Sequence, residues 1–242
     1  NLKGKEIKSI EKKLLNRNLK LSLFYDNKLS SFTKLAKLIT KWENLILENP
    51  DLDVSCFFLS FDNNSYAEIE SSRELPAAST IKVPLLIVLL KMLDEEEILW
   101  DEKLILTEDL IGGGSGWMAY QDIGDKFPIY EVASEMIRVS DNTATNLLIN
   151  RIGGINKVNQ KFKEIGLKNT KINNLLPDLS GTNLTTTRDL SLAIALVDNG
   201  YLLKARSRDI FREIMRKSQT NTLIPSGISR GLGKENKDTD YH

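Results

Sequence analysis

Histidine is almost absent from this sequence. The single one, His242, is the last residue, and chain ends are usually poorly ordered. A Ser-His-Asp triad within the chain is therefore almost excluded, as is a metal site built from several histidines. If a serine of this protein acts as a nucleophile, its base must be another kind of side chain.

Cysteine is equally scarce, and neither sign of charge dominates. The one cysteine, Cys56, lies in the apolar run DVSCFFLSF, so an internal disulfide or a thiolate cluster is excluded. We expect Cys56 to be a small buried core residue. Lys and Arg number 33 and Asp and Glu number 33, giving a formal net charge of zero. Nothing in the overall charge points to nucleic acid or to an anionic membrane as a partner.

Long hydrophobic runs are also missing, since VPLLIVLL is far shorter than the roughly 20 residues that cross a bilayer. One segment, residues 1–30, departs from the overall composition. Its first 20 residues carry seven Lys or Arg against Glu6 and Glu11. A solvated helix or linker is the favoured interpretation, and attachment near an anionic membrane surface is the alternative.

The remaining pattern predicts an α+β protein. Helical periodicity covers 31–49, and two strand-like runs, DVSCFFLSF and SYAEIESS, flank the turn signal DNN. Residues 167–187 form a long polar loop, and the tail from 227 has no pattern. Further helices are predicted over 79–95, 129–139, 142–152, 155–166, 188–200 and 208–218. The order of a helix, a hairpin and then many helices favours α+β.

The run GGGSG at 112–116 is a weak candidate for a phosphate-binding loop. It lacks the Gly-Lys-Ser/Thr ending of such loops, and no helix clearly follows it. No phosphate-binding role is assigned to it.

A serine and a lysine open the most apolar helix, in AASTIKVPLLIVLLKML. Ser79 and Lys82 are three residues apart, so they share one face of the helix. A serine hydroxyl is a poor nucleophile until a base takes its proton. A lysine can do so if burial lowers its pKa toward neutrality. Pro84 fits this helix if the helix begins near Ser79, because the first turn tolerates a missing N–H.

A second polar group lies between two predicted helices, in MIRVSDNTATNLLI. Ser140 could relay a proton to a leaving group, and Asn142 could hold a substrate amide or the lysine. Asp141 could cap the following helix or brace the loop. In isolation, a cluster that only caps the helix would be the simpler interpretation.

Together these stretches resemble a known family. AASTIKVPLL and IRVSDNTATNLLINRIGG are similar to the Ser-x-x-Lys and Ser-Asp-Asn motifs of class A β-lactamases and penicillin-binding proteins. The resemblance extends over roughly residues 33–230. It implies that Ser79 is the acyl-accepting nucleophile, Lys82 its buried partner, and Ser140 and Asn142 the second wall of the site. Trp117 falls near an aromatic at the cleft mouth, although a core role for it is equally compatible.

The resemblance also implies a fold, partners and a location. The fold would be an antiparallel sheet flanked by helices plus a helical subdomain, with the active site between, formed by residues 31–242. The expected substrates are β-lactams or peptidoglycan-type peptides, with no metal, no cofactor and no nucleic acid. We expect a monomer outside the cytoplasm, with an upstream signal or anchor removed.

Two departures from the family pattern qualify that expectation. In LLPDLSG, Leu176 stands where class A β-lactamases carry the glutamate that activates the deacylating water, and Ser180 stands at the asparagine position. A leucine cannot deprotonate water. Asp178, the nearest carboxylate, is an alternative base, but its place two residues along an irregular loop changes its direction. The resemblance therefore implies a β-lactamase-like serine hydrolase acting through an acyl-enzyme on Ser79. The alternative is a penicillin-binding or DD-peptidase-like protein, or a sensor, that acylates without fast deacylation.

The second departure is the family's third motif, Lys-Thr-Gly, which is not found. KDT at 237–239 lacks the glycine. The sequence therefore predicts a fragment without the last strands and helix of the fold.

Overall fold

The computed structural model describes residues 32–219 and 224–233, so the prediction made for residues 1–30 lies outside the described part. The described chain divides into two units. The smaller one takes the residues up to Arg73 together with Thr187–Leu192, and the larger one takes Glu74–Thr186 and the residues from Ala193 onward.

The smaller unit contains the predicted hairpin. Strands β2 and β3 pair antiparallel from Cys56↔Ile69 to Ser60↔Ser65, and β1 adds to β3 in parallel. The three-stranded sheet is therefore mixed, with the order β1-β3-β2, where the sequence predicted antiparallel pairing alone. Its elements are β1 (Thr33–Lys34), helix α1 (Ala36–Glu48), β2 (Cys56–Ser60) and β3 (Ser65–Ile69).

The larger unit is built around one buried helix, α2. Its continuous apolar sequence predicts burial on all sides. Residues such as Leu85, Leu86 and Leu90 are indeed fully buried. Helices α3, α4, α5 and α7 pack against it. Its helices are α2 (Lys82–Asp94), α3 (Ile129–Arg138), α4 (Asn142–Ile152), α5 (Ile155–Glu164), α7 (Ala205–Arg216) and α8 (Ile224–Gly231). The boundary between the two units falls within α6 (Thr187–Asp198), after Leu192.

Two short strand pairs complete the larger unit. Strands β4 (Leu75–Pro76) and β7 (Leu184–Thr185) join the chain before Ser79 to the end of the long polar loop. Strands β5 (Lys103–Ile105) and β6 (Lys126–Pro128) form the other pair. None of the helices in the described ranges is both long and apolar enough to span a bilayer.

The predicted helices are confirmed, with shifts at their ends. A tight 3-10 turn covers Ala78–Ile81, so helix α2 starts at Lys82 rather than at Ser79. Pro84 consequently lies in the first turn, as expected. Helix α8 was missed, because its sequence IPSGISRG combines a proline with two glycines, all of which disfavour a helix interior.

Candidate active site

Ser79 lies on a strained turn at the entrance to helix α2. Ala78, just before it, has φ +44°, a left-handed conformation that costs a residue with a Cβ atom energy. The turn leaves Ser79 exposed while Ile81 and Lys82 point into the core. The hydroxyl predicted to be the nucleophile is therefore accessible to solvent at the start of a buried helix.

Lys82 is the buried centre of the site, with 1% of its surface exposed. Its Nζ donates to the carbonyl of Ser140 at 2.6 Å, to Ser140 Oγ at 2.9 Å and to Asn142 Oδ1 at 2.9 Å. Ser79 Oγ lies 3.4 Å from the same nitrogen. We call Ser79, Lys82, Ser140 and Asn142 the serine–lysine cluster. The other three residues that the motifs singled out thus each lie within hydrogen-bond distance of Lys82 Nζ.

Burial lowers the pKa of Lys82 to about 8, and the negative charge of Asp141 opposes that shift. An ammonium loses hydration in the core, so its neutral form becomes more accessible. A lysine with a pKa near 8 can hold or accept a proton close to neutral pH.

Ser140 bridges the lysine and the nucleophile. Its hydroxyl lies 2.8 Å from Ser79 Oγ, to which it donates a hydrogen bond. The residue has φ +59°, and this left-handed conformation directs both its carbonyl and its hydroxyl to Lys82. Lys82, Ser140 and Ser79 are therefore joined by a continuous chain of hydrogen bonds.

Asn142 and Asp141 connect this cluster to the glycine-rich segment. The amide of Asn142 accepts from Lys82 through Oδ1 and donates through Nδ2 to the carbonyl of Gly113 at 2.8 Å. The fully buried carboxylate of Asp141 caps α4 through the N–H of Ala144 at 2.8 Å. Its other oxygen accepts from the N–H groups of Trp117 and Met118, at 2.8 and 2.9 Å.

Gly116 makes the close approach of this segment to Asp141 possible. It has φ +96°, and a Cβ added there would meet Asp141 Oδ2 at 2.0 Å. The last glycine of GGGSG is therefore required for this contact in the fold.

Trp117 is held by α3. Its Nε1 donates to Glu135 Oε2 at 2.6 Å, and its ring packs edge-on against Phe127 with centroids 5.9 Å apart. Arg138 holds the same carboxylate through two bonds of 2.7 Å. The polar atom of the indole is thus used inside the protein, and a contact between the ring and substrate stays a prediction.

Leu176 is a buried residue of the long polar loop, with 6% of its surface exposed. Its side chain belongs to the hydrophobic core. The amide of Asn146 holds its backbone on both sides, accepting from its N–H at 2.8 Å and donating to its carbonyl at 2.7 Å. The side chain at this position therefore offers only hydrocarbon to the site.

Asp178, the nearest carboxylate, braces its own loop. One oxygen accepts from the hydroxyl of Thr182 at 2.9 Å and the other from the N–H of Asn183 at 2.6 Å. Both oxygens are thus engaged with the loop that carries them. Ser180 is exposed at the loop surface.

Sequence reasoning missed Glu135 and Asn146. Both lie on predicted helices, at positions that face inward in the structure. A charged or amide side chain on the apolar face of a helix is the signal that could have revealed them, because buried polar groups require partners. Their partners, Trp117 and Leu176, are too distant in sequence for periodicity to identify them.

Comparisons with known proteins show which family this chain resembles. A model of the β-lactamase enzyme family matches residues 35–241. The chain is 30% identical over 221 residues to β-lactamase BRO-1 of Moraxella catarrhalis, covering 85% of this chain and 69% of that protein. It is 27% identical over 192 residues to a β-lactamase of Bacillus licheniformis, covering 76% and 61%. The chain thus spans about two thirds of the length of these relatives.

Solved structures agree. PBP-A is 40% identical, with a TM-score of 0.79 over 81% of this chain and 74% of that one. A leucine-to-glutamate variant of PBP-A, solved as an acyl-enzyme complex with penicillin G, matches with 40% identity and a TM-score of 0.78, over 80% and 74%.

Proposed function

The chain belongs to the β-lactamase enzyme family of serine hydrolases, and on that premise we propose that it takes the acyl group of a β-lactam or a peptidoglycan-type peptide onto Ser79 and releases it slowly. One observation carries the proposal. Ser79 Oγ, Ser140 Oγ and the buried Lys82 Nζ lie within hydrogen-bond distance of one another.

The acylation step follows from these contacts. Ser79 Oγ attacks the carbonyl carbon of the substrate amide and gives its proton to neutral Lys82, directly or through Ser140. The C–N bond then breaks, and the proton passes through Ser140 to the departing nitrogen. The products are an ester on Ser79 and a free amine, which stays attached to the acyl group when the substrate is a β-lactam.

Slow release of the acyl group follows from Leu176. Hydrolysis of the ester requires a water that a base orients and deprotonates, and a buried leucine side chain cannot do either. Asp178 is bound to Thr182 and Asn183. The match to PBP-A, and to its leucine-to-glutamate variant solved as an acyl-enzyme with penicillin G, supports the acylation step. The chain would therefore accumulate as an ester, as a penicillin-binding protein or sensor does.

Efficient β-lactam hydrolysis is the second candidate, favoured by the curated relatives named β-lactamase. It needs a base in place of the missing glutamate. We further propose that residues 31–242 form one β-lactamase-like domain, consistent with the family match over 35–241, and that it works outside the cytoplasm.

Intact-mass spectrometry over time tests the proposal. The protein is mixed with benzylpenicillin while hydrolysis of the drug is followed in parallel. An adduct that forms on Ser79 and persists supports slow release. Consumption of the drug without an adduct would favour the second candidate. An unchanged mass with an unchanged drug would contradict acyl transfer from β-lactams.

A further inference from the structure

Asn183 lies near the end of the long polar loop and is buried, with 1% of its surface exposed. Its Oδ1 accepts from the N–H groups of Asn173 at 2.7 Å and Asn174 at 3.0 Å. Its Nδ2 donates to the carbonyl of Asn174 at 3.1 Å. The side-chain amide of Asn183 thus joins the parts of the loop that lie before and after Leu176.

The backbone of Asn183 extends this closure to the nucleophile. Its carbonyl accepts from the N–H of Ala77 at 2.7 Å, and the pairing of β4 with β7 continues the contact. Ala77 directly precedes Ala78, whose φ of +44° shapes the turn that carries Ser79. A strained residue keeps its conformation only while its neighbours are held in place.

We propose that Asn183 is a positioning residue for Ser79, a role that rests on the proposed acyl-transfer function. Its side chain fixes the end of the long polar loop. Its carbonyl then holds Ala77 and, through that residue, the turn that presents Ser79 Oγ to Ser140. Asn183 itself acts through Ala77 and contacts none of the four residues of the serine–lysine cluster directly.

The position requires a neutral amide. A carboxylate could accept from the two N–H groups, but it could not donate to the carbonyl of Asn174. It would also lie beside Asp178, whose Oδ2 already accepts from the N–H of Asn183 at 2.6 Å. In Asn183→Asp, like charges and a lost donor should open the loop near neutral pH. Protonation of the new carboxyl at low pH would restore the donor.

Asn159 provides a matched control. Its side-chain amide also makes two hydrogen bonds with the backbone. It accepts from the N–H of Ile172 at 2.8 Å and donates to the carbonyl of the same residue at 2.7 Å. It holds the earlier part of the same loop. Among the described residues, it makes no hydrogen bond with the turn Ala78–Ile81 that carries Ser79. Asn159→Asp therefore loses the same kind of interaction without disturbing Ala77.

The experiment measures the single-turnover acylation rate constant with benzylpenicillin for the unchanged protein and both variants, from acid to alkaline pH. We expect Asn183→Asp to lower this constant by about 10- to 100-fold at neutral pH, as small misplacements of reacting groups do. The ratio of variant to unchanged protein should rise as pH falls. Asn159→Asp should have a smaller effect with a flat ratio. Equal losses in the two variants, or a flat ratio for Asn183→Asp, would overturn the positioning role.

Hydrogen exchange at the Ala77 amide gives a readout that needs no substrate. We expect this amide to exchange faster in Asn183→Asp at neutral pH and to regain protection at low pH, after correction for intrinsic exchange. An unchanged protection factor contradicts the positioning role. If the unchanged protein forms no adduct while Ala77 responds as expected, the proposed substrate fails and the positioning of the turn stands.

Discussion

The serine–lysine cluster and the stretch around Leu176 lie in the same compact unit, but they differ in what they can do. The cluster presents hydroxyl, amine and amide groups that can pass a proton along. The stretch around Leu176 presents hydrocarbon, while its polar backbone is occupied by Asn146. Under the proposed function, the cluster would serve acylation, and the stretch around Leu176 would offer no base for deacylation. Four substitutions can break or sharpen this difference.

The largest effect is expected from Ser79→Ala. The rate of adduct formation with a penicillin should fall by at least about a thousandfold, because the attacking oxygen is removed. Intact-mass spectrometry measures the adduct, and Ser72→Ala, at another exposed serine, is the control. An adduct that still forms on Ser79→Ala would show that the cluster is not the acceptor.

The second-largest loss of acylation rate is expected when Lys82, the proposed proton acceptor, is replaced. Lys82→Met should slow acylation by about 100- to 10,000-fold, the usual contribution of a general base. In the unchanged protein the acylation rate should rise with pH through about 8 and then level, because burial lowers the pKa of Lys82 to about 8. Only the neutral amine, present above that pKa, accepts a proton.

Stopped-flow acylation rates across pH check this expectation. Lys91→Met, on the same helix but paired with Glu95 at its surface, should leave the profile unchanged. A rate that does not vary with pH would assign the base to another group.

Leu176→Glu should remove the difference between the two regions. A carboxylate there can activate water, so we expect deacylation to be faster by on the order of 100-fold. Burying the new group should also lower the free energy of unfolding by about 2 kcal/mol. The decay of the isolated adduct measures the first quantity and urea unfolding the second. Leu176→Gln is the matched control, and equal decay in both variants would exclude the carboxylate as the cause.

The smallest effect on catalysis is expected at Glu135. Its pKa is held below the ordinary value of 4.5, chiefly by the hydrogen bonds from Arg138 and also by Trp117, against the effect of burial. Its charge therefore stabilises the fold above pH 4.5, and this stabilisation is lost as pH falls through the lowered pKa. Glu135→Gln should remove that acid-sensitive part and cost about 1 kcal/mol at neutral pH.

Acid titration of tryptophan fluorescence and urea unfolding at several pH values test this expectation. Glu131→Gln, at a half-buried position on the same helix, serves as the control. Acylation by Glu135→Gln should change less than about threefold, since the contact acts on the glycine-rich segment from outside the cluster. A loss as large as that of Lys82→Met would mean that Trp117 contributes directly to the site.

The proximity of Ser79 and Lys82 was easier to predict than the other contacts of the serine–lysine cluster. Ser79 and Lys82 are three residues apart, so their proximity follows from local structure. The contact of Lys82 with Ser140 spans 58 positions and was expected only from the family resemblance. Helix α2 starts later than predicted because Ala78 adopts a left-handed conformation, which no residue type at that position signals.

The residues that hold the segments around the site in place were harder to predict. Glu135 reaches Trp117 across 18 positions and Asn146 reaches Leu176 across 30. Both contacts depend on how helices pack, which periodicity does not specify. The strands Lys103–Ile105 and Lys126–Pro128 are three residues each, too short for alternation to identify them.

Ser140 and Ala78 keep left-handed backbones at φ +59° and +44°, each beside a reactive hydroxyl. A glycine at either place would relieve roughly 1 kcal/mol of strain. At position 140 the same change would also remove the hydroxyl that accepts from Lys82 at 2.9 Å and donates to Ser79 at 2.8 Å. The loss of a hydrogen bond from a buried ammonium costs a free energy of similar size. The left-handed backbone at Ser140 is therefore offset by the hydrogen bonds of the same residue.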